Sequence, residues 1–325
     1  MDLLKGIAKN KFLVVGRAGM DFFADPPGTA TEHAEVFHAG LGGSSANIAA
    51  GICKLGGAAS LVTRVSDDSV GRYCVNQLRK YGVETRWVTP VAGEFRNSLA
   101  VYESRVANHQ SVIYRNGAAD FQMNKDDVAA VDYAAHGALI TAGTVFAAEP
   151  SREATFHAFK YAKEKGNLPI IFDVDYRPYS WVSAQDASDT LSAAADLSDL
   201  IVGNDEEFGF MAGSYDGGLD KARSLAAQGK TIIYKMGEKG AITFAEGEEI
   251  RTGIYAVDAL KPTGAGDSFM AGLMTALAEG KPWRDAIMTG SACAAIVVGK
   301  PGCAPAMPYP DELAAFMAAH EPQEI

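Results

Sequence analysis

The sharpest chemical signal in the chain is the segment "LKPTGAGDSFMAGLMTAL", residues 260 to 277. Gly264, Ala265 and Gly266 carry little or no side chain to hold the backbone away from a ligand, and Asp267 stands at the start of an apolar-periodic helix reaching about Ala278. Amides at a helix N-terminus, together with the helix dipole, suit a phosphoryl group in transfer, and an Asp there can take the proton of an attacking hydroxyl. The same pattern also serves as a plain N-cap behind a tight loop. Two other segments share this double character. Asn204 ends a strand-like run and Glu207 follows one helical turn later, so the pair can face a magnesium–water shell or simply cap a helix. Lys235 follows another strand-like run and precedes Gly237 and Gly240, which lets an ammonium reach phosphate oxygens across a close turn.

The elements that must position these residues follow a regular rhythm. From Val128 onward, "GALITAG", "LPIIFDVD", "SDLIVGN" and "TIIYKMG" read as buried strands separated by helices such as "SREATFHAFKYAKEKG". Strands apolar on both faces, alternating with helices, predict a mostly parallel sheet covered on both sides. Nearer the N-terminus, a first strand is expected over Phe12 to Gly16, and "GLGGSSANIAAGICKLGG" opens a helix near Ser45 with small residues on a face that approaches something closely. "ASLVTRVSDD" then reads as a strand and "SVGRYCVNQLRKYG" as a helix closed by Gly82. Two stretches break the rhythm. Residues 22–40 contain Pro26, Pro27 and Gly28, and between Thr85 and Tyr114 the runs "RNSLAVYES" and "QSVIYR", parted by a polar turn around Asn108, read as short strands outside the main alternation. The expectation is one domain over residues 1–325 with a small β lid formed by segments about 22–40 and 95–117.

Composition narrows the partners. With 48% hydrophobic and 21% charged residues the chain is not disordered, and 29 Lys plus Arg against 40 Asp plus Glu leaves a net charge of −11. That balance argues against nucleic acid or a polybasic membrane surface, and no run of 18 apolar residues is present. Four cysteines lie without a C-x-x-C spacing and read as reduced thiols, and the N-terminal apolar run meets Arg17 and Asp21 without a cleavage pattern, so a cytoplasmic protein is expected. No G-x-x-x-x-G-K-[ST] or H-R-D loop occurs, and "GLGG" at 40–43 lacks the third glycine and the later acid of a dinucleotide fingerprint.

Taken in chain order, Asp21 in "GRAGMD", "GGSSANIA" at 42–49, "NDEE" at 204–207, "KMGEKG" at 235–240 and "GAGD" at 264–267 resemble the motifs of the ribokinase-like (PfkB) carbohydrate kinases, from Gly16 to about Pro308. The resemblance implies a three-layer α/β/α domain with a mostly parallel central sheet and a small β-strand lid. It implies Asp267 as catalytic base beside an anion hole at Gly264, Ala265 and Gly266, with Asp21, Gly43 and Asn47 on sugar hydroxyls. Asn204, Glu207, Lys235, Gly237 and Gly240 would serve ATP, with Glu207 holding Mg2+ through water. Lids of this family often pair across a homodimer, which covers their strand edges.

"FDVDYRPYSW" at 172–181 further resembles the D-x-D-Y-R-P segment of the 5-dehydro-2-deoxygluconokinases, and more loosely the 2-keto-3-deoxygluconate kinases. The resemblance gives Arg177 to a substrate carboxylate, with Arg115 as a second guanidinium from the lid; a structural ion pair of Arg177 with Asp173 or Asp175 competes with that role. The expected reaction is phosphorylation of the 6-hydroxyl of 5-dehydro-2-deoxy-D-gluconate. A 2-keto-3-deoxygluconate kinase, a neutral-sugar kinase such as a fructokinase or ribokinase, or a noncatalytic sugar sensor remain the alternatives. One departure stands out: many relatives read D-T-T-G-A-G-D, whose first Asp helps hold a monovalent cation, whereas this chain has Lys261-Pro262-Thr263, and an ammonium there predicts activity largely independent of potassium.

Overall fold

Successive side chains of a strand point to opposite faces, and Lys11–Val15 sends Phe12 and Val14 into one hydrophobic cluster and Leu13 and Val15 into another. A strand apolar on both faces has to be covered on both, and that requirement sets the layers of the molecule. The computed structural model describes residues 2–104 and 111–323. Its strands in chain order are β1 (Lys11–Val15), β2 (Gly19–Asp25), β3 (Val36–Gly42), β4 (Ala58–Ser66), β5 (Glu84–Val91), β6 (Leu99–Tyr102), β7 (Ser111–Tyr114), β8 (Ala138–Ala142), β9 (Ile170–Asp173), β10 (Leu200–Asn204), β11 (Thr231–Lys235), β12 (Ala241–Ala245) and β13 (Glu248–Thr252).

Nine of these form the central sheet in the order β13-β12-β11-β10-β9-β8-β1-β4-β5. The pairs from β5 across to β11 are parallel, and β12 and β13 run antiparallel at one edge. One face is covered by helices Ser44–Lys54, Ser69–Lys80, Ala265–Ala278 and Trp283–Val298. The other carries Ser151–Tyr161, Ala184–Leu197, Asp205–Ala212 and Gly218–Ala227. This is the ribokinase-like α/β architecture. From β1 the chain builds outward in both directions, to β4 and β5 on one side and to β8 and beyond on the other, and such a switch opens a crevice at the carboxyl ends of the strands.

Close helix packing brings two candidate segments together. The helix Ser44–Lys54 presents Gly51 to Ala271, where an added Cβ would sit 2.7 Å from the Ala271 methyl, so the small-residue face found in the sequence lies against the helix that carries Asp267.

A second sheet, in the order β3-β2-β6-β7, stands apart from the first, with β2 antiparallel to β3, parallel to β6, and β6 antiparallel to β7. Strand β2 begins at Gly19, so Asp21 belongs to this sheet rather than to the turn behind β1. The turn expected around Asn108 lies outside the described residues. One reading of the sequence is corrected, and one element is new to it. The main alternation was expected to break at Thr85, yet Glu84–Val91 is the parallel edge strand of the central sheet. Its half-buried pattern and Pro90 are what an edge position allows, since a missing N–H there breaks no ladder on the outer side. The β12–β13 hairpin had no expectation at all; it turns through Glu246 and Gly247, both at positive φ, as a tight two-residue hairpin requires. Among the described residues no helix is long and apolar enough to cross a membrane, and the four cysteines are free.

Candidate active site

The crevice at the strand ends is a cleft of about 980 Å³ whose wall includes Asp21, Gly43, Asn47, Arg177, Asn204, Glu207, Lys235, Gly237, Gly240 and residues 264–267. At its centre the helix Ala265–Ala278 starts behind Gly264, whose φ of +85° and tight approach to Cys303, 3.0 Å from an added Cβ to Sγ, exclude any side chain. The first amides of a helix have no partner within it, so those of Gly266 and Asp267 are available to an anion in the cleft, while that of Ala265 makes only a long 3.4 Å bond to Pro262 O. Asp267 lies in this first turn. It does not cap its helix; its Oδ2 accepts a 2.8 Å hydrogen bond from Asn47 Nδ2. Burial, and then the Asp175 carboxylate, push its carboxyl up to about 6, against the Asn47 bond and the guanidiniums of Arg177 and Arg17, which pull it down. A carboxylate ionised just below neutral pH is suited to accept a proton.

At one end of the cleft, β11 delivers Lys235 so that its Nζ would lie 3.6 Å from a Cβ placed on Gly266, beside the helix N-terminus. Gly237 and Gly240 turn the following loop at φ of +58° and +78°. Asn204 and Glu207 form a full capping box: Glu207 N–H donates to Asn204 Oδ1 and Asn204 N–H to Glu207 Oε2, each at 2.8 Å. Tyr176 N–H also donates to Glu207 Oε1 at 3.3 Å. The capping and ligand-organising readings of this pair therefore coexist, because Glu207 is buried at the cleft wall rather than solvated. Burial raises its pKa while Lys235 lowers it. Asp173 nearby is pushed up to about 8 by burial, with Lys235 opposing and the Glu207, Asp175 and Asp267 carboxylates adding to the rise.

The carboxylates of Asp173, Asp175, Glu207 and Asp267 face Lys235 and Arg177, and a divalent cation relieves the negative charge left over. Among the described residues no three His, Cys, Asp or Glu side chains converge tightly enough to hold a metal alone. A cation here must share its coordination with water and a ligand's phosphates, which is the habit of magnesium. The donor set therefore fits that ion.

At the other end of the cleft, Asp21 points inward from β2, 1% exposed, with its Oδ1 unpartnered, and a Cβ on Gly42 would overlap its carboxylate. Burial pushes it up to about 7, with Arg17 pulling it down. Arg177 is held by Asp175, Nη2 to Oδ1 at 2.7 Å, so the structural ion pair is real and yet leaves the guanidinium on the cleft wall, half exposed. Asp175 itself adopts φ +35° and accepts from Ser44 Oγ at 2.6 Å, tying this segment to the start of the Ser44–Lys54 helix.

Arg115 does not join Arg177. Its Nη2 pairs with Asp120 Oδ2 at 2.5 Å, its Nη1 donates to Thr144 O at 2.9 Å, and its guanidinium lies 4.0 Å over the Phe121 ring. The buried carboxylate five residues downstream has claimed it, and Arg115 is absent from the cleft wall. Lys261, also buried, donates Nζ to Thr263 O at 2.5 Å and Val297 O at 3.3 Å, behind the loop that leads into the Asp267 helix. Sequence reasoning missed Arg17, Ser44, Asp173 and Asp175, although "GRAGMD" and "FDVDYRP" contain three of them. It also missed the apolar wall of Ile287, Ala294, Ala295 and Val298 beside residues 253–257, a surface suited to a flat apolar ring.

Residues 9–310 match the sequence model of the pfkB family carbohydrate kinases. A 5-dehydro-2-deoxygluconokinase of Photobacterium profundum is 36% identical over 315 residues, 95% of either chain. Another from Bacillus thuringiensis subsp. konkukian is 33% identical over 326 residues, 98% of either chain. In fold, a fructokinase double mutant from Vibrio cholerae O395, solved in its fructose, ADP and potassium ion bound form, superposes with a TM-score of 0.83 at 24% identity, covering 94% of this chain and 98% of the other.

Proposed function

Because the chain belongs to the pfkB family of carbohydrate kinases and is a sugar kinase, we propose that it transfers the γ-phosphoryl group of ATP to the primary 6-hydroxyl of a keto-deoxy sugar acid, 5-dehydro-2-deoxy-D-gluconate. One observation carries the reading. A single cleft holds both a raised carboxylate at a helix N-terminus, Asp267, and a guanidinium anchored for display, Arg177 on Asp175. The first suits deprotonation of a hydroxyl beside a phosphate; the second suits a carboxylate on the same small molecule.

In this mechanism the sugar lies against β2 and the Ser44–Lys54 helix, with Asp21, Gly43 and Asn47 on hydroxyls and Arg177 on the carboxylate. Asp267 takes the proton of the 6-hydroxyl as the new O–P bond forms, the bond to the β-phosphate oxygen breaks, and ADP leaves. Amides at 265–267 and the Lys235 ammonium meet the charge that spreads over the transferred group, so positioning and electrostatics supply most of the rate. Glu207, through water, would hold magnesium with the Asn204 segment, and the ion supplies charge neutralisation on the phosphates. The second sheet acts as a lid that excludes water, which makes ATP hydrolysis without sugar slow. Its face away from Asp21 exposes Phe37, Val112 and Tyr114, which supports pairing with a second copy.

The test is Asp267→Asn. Calorimetric binding of the sugar acid is retained while turnover in a coupled ADP assay falls by about 10²–10⁴-fold. Unchanged turnover refutes the assigned role, and binding with no turnover even in the wild type favours a sugar sensor.

A further inference from the structure

The guanidiniums of this molecule divide by what they hold. Arg64, Arg115, Arg152 and Arg177 each pair with a carboxylate within 2.8 Å. Arg17 is different. It is 7% exposed, lines the cleft, and makes one side-chain hydrogen bond, Nη1 to Ser98 Oγ at 2.9 Å. Its Nε is buried without a partner, and no ion pair engages it among the described residues. A buried guanidinium with most of its donors unused is costly unless something completes it. Burial works against its charge, and Asp120, Tyr102, Asp21 and Asp175 together outweigh burial and keep it a cation.

Its position says which ligand group completes it. Arg17 follows the end of β1, and Lys235 ends β11, four strands away through β8, β9 and β10. At strand spacing those strand ends stand about 19 Å apart, which sets the two cations toward different ends of the cleft. Arg177 follows β9, between them, and Arg17 and Arg177 both line the cleft, as do Asp175 and Tyr179, whereas Arg115 does not. Around Arg17 stand Asp21 and Tyr102 of the second sheet, at the acceptor end of the cleft.

We propose that Arg17 is a specificity-determining residue for the acceptor: with Arg177 it receives the sugar's carboxylate, the place that sequence reasoning gave to Arg115. Ser98 orients the guanidinium through Nη1, and the part of it that forms the cleft wall is left to the substrate, so an acid is bound by charge-assisted contacts that a neutral sugar cannot repay. The inference rests on the sugar-acid reading above, and the experiment separates the two. Initial rates are measured for wild type, Arg17→Gln and Arg17→Lys with 5-dehydro-2-deoxygluconate and with its neutral amide, at saturating ATP. In Arg17→Gln the KM for the acid rises and the ratio of kcat/KM for acid over amide falls by about 10- to 100-fold, while KM for ATP is unmoved. Arg17→Lys keeps the charge and restores part of that ratio. Equal proportional loss on acid and amide makes Arg17 a merely structural residue and overturns the proposal, as does an unchanged ratio. Should Arg17→Gln fail to fold, Arg17→Lys alone decides, because loss of the fork geometry lowers the acid-to-amide ratio by about three- to tenfold or the proposal is wrong. A wild type that prefers fructose or ribose to the acid refutes the parent reading before any variant is made.

Discussion

The two ends of the cleft are built from different materials. The phosphate end is made of chain-local devices: a glycine-rich entry to a helix at 264–267, a capping box at 204–207, and a lysine and two glycines over 235–240. The acceptor end is made of side chains from separate segments, Arg17 after β1, Asp21 on β2, Asn47 on a helix, and Asp175 and Arg177 after β9, locked to one another by Ser44–Asp175 and Asn47–Asp267 hydrogen bonds. Backbone amides recognise any phosphate and side-chain charges discriminate, so under the proposed function the first end carries the reaction common to a family and the second the choice of sugar.

The sharpest way to test this contrast is to separate structural from functional guanidiniums. Arg115→Ala leaves the Asp120 carboxylate buried without its partner, and stability falls by about 3–5 kcal/mol in denaturant titration. The acid-to-neutral preference survives in the folded fraction; its collapse would return Arg115 to the acceptor end. Asp267→Asn moves stability the other way. The carboxyl is pushed up from 3.8 to about 6 in the fold, so its ionised form is disfavoured there, and the neutral variant is more stable than wild type above about pH 6. The gain is on the order of 1–3 kcal/mol and fades as pH falls toward 4, where the wild-type carboxyl is protonated in both states. A variant less stable than wild type at pH 8 contradicts that sign.

A smaller effect reads the link between the two ends. Wild-type kcat falls on the acid side as Asp267 is protonated near pH 6, and Asn47→Ala, which deletes a hydrogen bond favouring the ionised form, moves that limb to higher pH by under about one unit. A limb that stays put would detach Asn47 from the base. The smallest expected effect is none. With the Lys261 ammonium bound to Thr263 O and Val297 O behind the anion-binding turn, replacing a bulky organic cation by potassium at fixed ionic strength leaves the rate unchanged. Saturable stimulation by potassium shows that the ammonium does not substitute for a cation.

The same division explains what was legible beforehand. Asp267, Asn204, Glu207 and Lys235, which line one cleft, could be singled out beforehand because each sits at a helix or strand end that sequence periodicity reveals. Arg115 and Arg17 could not be ranked that way. Each follows a strand, and what separates them is that Asp120 forms its ion pair with Arg115 while Arg17 hydrogen-bonds Ser98 and is left on the cleft wall, facts of packing rather than spacing. The central sheet was readable from continuous apolar strands such as Ile170–Asp173. Edge strand Glu84–Val91 was not, because one-sided burial gives an edge strand the alternating pattern of a strand in a small separate layer.

The claim on which the rest depends is that a charged acceptor is chosen by guanidiniums at one end of the cleft. The most direct measurement is a coupled ATP assay of the wild-type protein with 5-dehydro-2-deoxygluconate, 2-keto-3-deoxygluconate, fructose and ribose side by side. The account predicts the highest kcat/KM for 5-dehydro-2-deoxygluconate, with both acids ahead of both neutral sugars by at least about tenfold, the worth of one charge-assisted contact. Fructose or ribose turned over as well as the acids, or better, contradicts it.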